Sequence, residues 1–288
     1  MHTSNYIPIA AVSLIFLNAP MAKAEENLYG WVGTAETLPS GQFELYEFFT
    51  MRTGKAVEDG SYNAYDLETE IEYGVSDVLQ VGLSISQNYF SGNALDADED
   101  DLTQLGYRFG GVAASGKYRF KSPFIDDYGL ALKVATGFNR HDETAGIIEE
   151  HIFVAPTLMF QKNFLDNTLI TTFNVGFDFG WGKKPAEEYG EELGLESRVG
   201  VSYRFAPGWF VGLEGRVRAE YPRFDLTENE HMVVFVGPNV HYASEKWWAT
   251  LGWAYQAFGD EADGQAESNR AFAEQVQNEI RLKLGFNF

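Results

Sequence analysis

Chemistry in this 288-residue chain would have to come from its five histidines, its acidic runs and its regularly spaced charges, because it contains no cysteine. That absence removes thiol nucleophiles, Cys-based zinc sites and any disulfide framework. A serine hydrolase needs a serine beside a histidine, a third group to orient the ring and an oxyanion site. Setting aside His2 in the leader, and comparing His141, His151, His231 and His241, only His241 stands near a serine, Ser244, with Asn239 just before it. That trio falls at a short turn of the pattern described below, away from the outer leaflet where a lipid-cleaving site would have to open. It is expected to be a chance proximity, and no catalytic residues are predicted. Asp96, Asp98 and Asp100 are spaced like the start of a calcium loop, but position six is Asp101 where glycine is needed and position twelve is Tyr107 where a glutamate belongs. They stand as weak divalent-cation candidates, and read more simply as part of a solvated acidic rim with Glu187, Glu188, Glu191, Glu192, Asp260, Glu261 and Asp263. No glycine-rich loop joins a strand to a helix, so neither a phosphate-bearing cofactor nor any other is expected.

The stronger signal is charge at every second position. Asp66, Glu68, Glu70 and Glu72 make one acidic row, while Lys117 with Arg119, Arg198 with Arg204, Glu214 with Arg216 and Arg218, and Glu279 with Arg281 and Lys283 make rows of mixed sign, joined by Lys133, Asp178 and Glu196. In an extended chain alternate residues share a face. The opposite faces are apolar: Leu67, Ile71 and Tyr73; Leu79, Val81, Leu83 and Ile85; Trp209, Val211, Leu213 and Val217; Val276, Ile280, Leu282, Leu284, Phe286 and Phe288. A helix would scatter both sets. The polar face is too charged to be the core of a soluble sandwich, so the charged residues named above are read as pore-lining and the apolar face as the side in contact with lipid.

Twelve such segments are expected, near 42 to 53, 62 to 75, 78 to 90, 110 to 121, 128 to 139, 147 to 163, 168 to 181, 193 to 205, 208 to 220, 231 to 243, 246 to 258 and 275 to 288. Tight connections at Ser76-Asp77, Ser122 to Asp127, Leu165 to Asn167, Ala206-Pro207 and Ser244-Glu245 alternate with longer polar ones. Short turns at one end and long loops at the other, with an even strand count, are what a transmembrane barrel has. Aromatics gather at both ends, Tyr118, Phe120, Tyr203, Phe205, Trp209 and Trp247 near the short turns, and Phe138, Phe177, Trp181, Trp253 and Tyr255 near the long loops, like two interfacial girdles. Pro156, Pro238 and the stretch Tyr46 to Phe49 interrupt the pattern, and local bulges are expected there.

Ahead of these segments, the apolar block 7 to 17 and the Ala22-Lys23-Ala24 ending have the form of an export signal, although no Lys or Arg precedes the block. Cleavage after Ala24 would remove Lys23 and leave 20 basic against 42 acidic residues, a net of −22. Nucleic acid and anionic lipid docking by charge are excluded by that balance. The organisation expected is a signal peptide over 1–24, a periplasmic or plug-like segment over 25–41 and the barrel over 42–288.

The end Leu284-Gly-Phe-Asn-Phe288 resembles the signal by which Gram-negative outer-membrane barrels reach their assembly machinery. The segments Leu28 to Phe43, with its Thr37-Leu-Pro-Ser-Gly41, and Tyr65 to Asp77, with Glu72-Tyr-Gly-Val-Ser-Asp77, resemble a family of uncharacterised outer-membrane barrels similar to putative transporters of aromatic meta-cleavage (phenol degradation) pathways. That resemblance implies an outer-membrane location, lipid and lipopolysaccharide as surroundings, and the barrel-assembly machinery as a partner through Phe288. It transfers no functional residue.

The reading is therefore all-β: a transmembrane antiparallel up-and-down β-barrel of about twelve strands, monomeric or oligomeric, passing small hydrophilic or amphipathic solutes without chemistry. Twelve strands about 4.8 Å apart and tilted about 40° give a backbone radius near ~12 Å. Inside so narrow a bore, two arrangements are open: opposed rows that set up a transverse field, or rows that pair and close the lumen. A lipid-acting barrel enzyme and a structural or adhesive surface barrel are the competing classes.

Overall fold

The computed structural model describes residues 27–55, 62–92, 106–142, 144, 146–183, 188–261, 270–272 and 275–288. Its strands are β1 (Phe43–Thr53), β2 (Tyr62–Ser76), β3 (Leu79–Gly92), β4 (Gly106–Lys121), β5 (Gly129–His141), β6 (Ile148–Phe164), β7 (Leu169–Lys183), β8 (Gly190–Ala206), β9 (Trp209–Pro222), β10 (His231–Ala243), β11 (Trp247–Glu261) and β12 (Asn278–Asn287). Each pairs antiparallel with its sequence neighbours, and β12 returns to β1 to close a twelve-strand barrel. At the seam Glu44 faces Asn287 and Thr53 faces Asn278, and the Phe288 amide donates to the Phe43 carbonyl. Closure leaves no unpaired edge, which a sheet in hydrocarbon cannot tolerate.

The period-two pattern sorts onto the two surfaces. Leu83, Leu213, Val112, Ile71, Val199 and Leu251 are exposed on the outside, where lipid rather than water would cover them. At the short-turn end the outer aromatics touch in series: Tyr118 with Phe120, Phe205 with Trp209, Trp209 with Tyr242, and Tyr242 with Trp247. At the long-loop end Phe224 packs against Phe179 and Trp181, and Trp253 against Tyr255.

Three local expectations are corrected. No bulge interrupts Tyr46 to Phe49, where the β1 register runs unbroken on both sides. The alternation of sides continues and only the residue types are inverted, with Tyr46 buried inside and Glu47 outside, bonded by the Thr69 hydroxyl at 3.0 Å. Neither proline itself sits at a register shift, although the β10–β11 ladder does shift between Val234 and Phe235, just before Pro238. At Pro156 the β6–β7 ladder skips from Val154 to Thr157, and at Pro238 the β10–β11 ladder skips from Val236 to Asn239. The missing N–H opens the ladder on one side without adding a residue. Finally, Val276 precedes β12 and is fully buried; the Gln256 amide donates to its carbonyl at 3.2 Å, so it belongs to an inturned loop and not to the lipid face.

Residues 27–40 do not join the wall. From Gly41, at the short-turn end, this segment passes into the barrel, and Leu28, Tyr29, Val32, Ala35 and Leu38 are each at most 5% exposed.

Candidate pore and its inner segment

The side chains that hold the inner segment come from wall strands far apart in sequence. Gln80 on β3 accepts the Leu38 amide at 2.8 Å, Gln161 on β6 accepts that of Ala35 at 2.9 Å, and Asn174 on β7 accepts that of Gly33 at 2.7 Å while donating to its carbonyl at 2.9 Å. Glu214 on β9 accepts three successive amides, those of Gly30, Trp31 and Val32, at 2.7, 2.8 and 3.2 Å, and Asn239 steadies it from β10 at 2.8 Å. A carboxylate taking several N–H donors is a charge-assisted grip, stronger than neutral bonds of the same count. Thr250 donates to the Asn27 carbonyl at 2.6 Å, and Lys283 donates to Asn27 Oδ1 at 2.6 Å and to the Tyr29 carbonyl at 3.2 Å.

Apolar contacts complete the seat. The Tyr29 ring lies where a side chain at position 200 would be: a Cβ built on Gly200 falls 2.6 Å from it. The Tyr29 hydroxyl donates to the Ile170 carbonyl at 3.0 Å. Trp31 reaches deepest, among Val233, Phe235 and Ala254, with the guanidinium groups of Arg216 and Arg281 5.2 and 5.3 Å from its ring. At the segment's other end Glu36 pairs with Arg119 and accepts the Ser122 hydroxyl at 3.0 Å.

The residues expected to line a pore fall into three groups. Glu214, Arg281, Lys283 and Arg119 are spent on the segment. A second group pairs with other inward charges: Asp66 with Arg52 and Arg52 with Glu279 at 3.4 Å between adjacent strands, Arg198 with Glu196 and Arg218 with Glu220 at 2.5 Å within a strand, and, from strands three apart, Arg216 with Glu279 and Lys133 with Glu70 and Glu72 at 3.7 and 3.8 Å. Glu68, Lys117 and Arg204 share the inward face by register, opposite Phe48, Gln80 and Phe210 respectively. Of the two arrangements left open by the sequence, the rows pair, in part within or between neighbouring strands and in part through the interior, as Arg216 does with Glu279 and Lys133 with Glu70 and Glu72. Arg52, which pattern reading passed over, sits between the acidic row and β12 and pairs with one acid of each, Asp66 and Glu279.

The described residues ahead of β12 also turn in against the wall. Gln256 accepts the Ala271 amide at 2.9 Å, and the Gln275 amide lies 3.3 Å from His231.

The hydrolase trio does not assemble. His241 is fully buried and its Nδ1 lies 2.6 Å from the Thr250 hydroxyl, whose proton goes to Asn27; the ring nitrogen is therefore the donor. Ser244 donates to the Trp247 carbonyl at 2.8 Å, and Asn239 serves Glu214. Asp96, Asp98 and Asp100, and the leader 1–24, lie outside the described residues. Sequence reasoning missed the amides Gln80, Gln161 and Asn174 and the aromatics Tyr46 and Trp248. The one visible signal for them was the inverted alternation at Tyr46 to Phe48.

A closed antiparallel barrel with a lipid-facing apolar belt, two aromatic girdles and an ionised interior defines a transmembrane barrel of the outer-membrane type. Residues 21–288 match the model of the family described as Family of unknown function (DUF6662), and the chain belongs to it. No curated protein matches it by sequence. Among solved structures it is similar to the COG4313 outer membrane channel from Pseudomonas putida F1, with a TM-score of 0.62 and 11% identity over 88% of this chain and 98% of that one. It is also similar to the NanC porin, with a TM-score of 0.51 and 11% identity over 84% and 98%. The β domain of the Bordetella autotransporter BrkA matches with a TM-score of 0.51 and 15% identity over 86% and 100%. At these identities the likeness is one of fold.

Proposed function

We propose that this protein is a porin-like diffusion channel of the outer membrane for small hydrophilic or amphipathic solutes, and that residues 27–40 set its bore. The carrying observation is how the segment is held. Its bonds to the wall use wall side chains such as Glu214, Asn174 and Gln161, with no strand ladder between 27 and 38. A ladder would make it a permanent part of the sheet, whereas separate side-chain bonds open one at a time. The wall behind it is ionised and wettable, as a polar path requires. The neighbouring channel and porin support the same class by fold. Phenol-type aromatic solutes enter as cargo to be tested only through the resemblance of Leu28 to Phe43 to barrels of meta-cleavage pathways.

The test is reconstitution into planar bilayers. The full-length mature protein is expected to give small, ion-conducting steps, and a form lacking residues 25–40 larger ones. Absence of conductance from both, with a folded barrel verified by heat-dependent electrophoretic mobility, would refute the proposal. Lipid hydrolysis by the purified protein would instead favour a barrel enzyme.

A further inference from the structure

Near the short-turn end, two carboxylates converge on one phenol. The Tyr46 hydroxyl oxygen lies 2.7 Å from Glu44 Oε2 and 2.6 Å from Glu72 Oε2, and all three side chains are buried. A phenol carries one proton. It donates to one carboxylate and must accept from the other, because an ionised oxygen at that distance would face the phenol's own lone pairs.

Which carboxyl carries the extra proton follows from the donors around each. Glu72 takes the Gln80 amide and the Tyr46 hydroxyl on one oxygen and has Lys133 3.8 Å from the other. Glu44 takes the Trp248 indole N–H on its second oxygen, and Lys283 acts on it only from beyond ion-pair distance. The donors thus gather on Glu72, which leaves Glu44 as the carboxyl whose O–H donates to Tyr46. Trp248 reaches Glu44 across β12 because Gly285 lies between them; a Cβ on Gly285 would come within 2.1 Å of the indole.

The charged groups around the pair do not remove the need for that proton. On β2, Glu70 shares Lys133 with Glu72, and Glu68 adds a further carboxylate on the same face. On β12, Lys283 is engaged with Asn27 and Tyr29, and Arg281 with Thr50 and Gly30. Lys117 on β4 stands beside Gln80, His241 on β10 lies against Trp248, and Glu36 of the inner segment is paired with Arg119.

We propose that Glu44, Tyr46 and Glu72 form a one-proton binding site that fastens the Leu38 end of the inner segment. The linkage runs through Gln80, which donates to Glu72 and accepts the Leu38 amide. When Glu44 gives its proton to the water of the mouth, two anions share one phenol. The pair separates, Gln80 follows Glu72, and Leu38 loses its acceptor. The site is full at low pH and empties as pH rises, so the segment end loosens on the alkaline side.

The chain has no cysteine, so Leu38→Cys offers a single thiol, read without any transport assay. In folded Leu38→Cys protein, alkylation by a small maleimide, corrected for thiol ionisation with a free-thiol standard, is expected to rise on the order of tenfold across one titration. Adding Glu44→Gln, whose amide donates as the acid does, should hold alkylation low at every pH. Tyr46→Phe, which removes the shared hydroxyl, should abolish the pH step. Infrared difference spectra of the wild type should contain a protonated-carboxyl band that Glu44→Gln removes. A pH-independent alkylation rate in Leu38→Cys, or a carboxyl band unchanged by Glu44→Gln in protein whose heat-dependent mobility marks it as folded, overturns the proposal. Both readouts stand whether or not the barrel conducts.

Discussion

A single carboxylate, Glu214, receives three backbone amides of the inner segment. Hydrogen bonds to charged groups contribute about 1.5–3 kcal/mol each, so Glu214→Ala should free the middle of the segment while leaving the strand ladder intact. Single-channel conductance is expected to rise severalfold in that variant at an unchanged unfolding temperature of the barrel. Gly200→Val should act similarly from the neighbouring strand β8, where it is paired with Glu214, by displacing the Tyr29 ring. Arg216→Ala with Arg218→Ala removes two cations from the interior, and the reversal potential in a salt gradient should move toward greater cation selectivity. These residues differ in how legible they were. That Glu214, Arg216 and Arg218 share a face follows from spacing alone. Their partners did not, because Glu214 meets residues 30 to 32 and Arg216 meets Glu279 only after closure brings distant positions together.

At the scale of elements, the strands were legible almost to the residue, since side alternation is local and survives any tertiary arrangement. The exceptions are physical. The signal read as β12 began before Asn278, because Val276 is apolar and in phase, yet it is buried by Gln256 and not by lipid. The segment over residues 27–40 has no period at all, and its position depends on amides of β3, β6 and β7 whose role no pattern could disclose. Because the wall's ladder does not use it, deletion of residues 25–40 is expected to leave heat-dependent electrophoretic mobility intact. Gly285→Val tests the opposite kind of element contact. It forces Trp248 off β12, and loss of that heat-resistant fold at a lower temperature than wild type is the expected outcome, read by the same gel.

Across the whole molecule, acidic residues outnumber basic ones 42 to 21. The interior pairs cancel one another, so the excess is carried by the remaining acids, many of them in the sequences of the long loops. A solute approaching from either side therefore meets a negative potential, and cations are expected to be favoured at low salt. Screening shortens the reach of such fields to about 10 Å at 0.1 M ionic strength. The preference should fade as salt is raised, and a salt-independent selectivity would place its origin at a tight, desolvated constriction instead.

The bonds that seat the inner segment come from β3, β6, β7, β9, β11 and β12, the last of these forming the seam with β1. No subset of strands offers the complete cradle, so the cork can be driven home only once the cask has been hooped. A newborn barrel therefore passes through a leaky infancy, and liposomes loaded with a fluorescent dye should spill a brief burst during insertion and then fall silent.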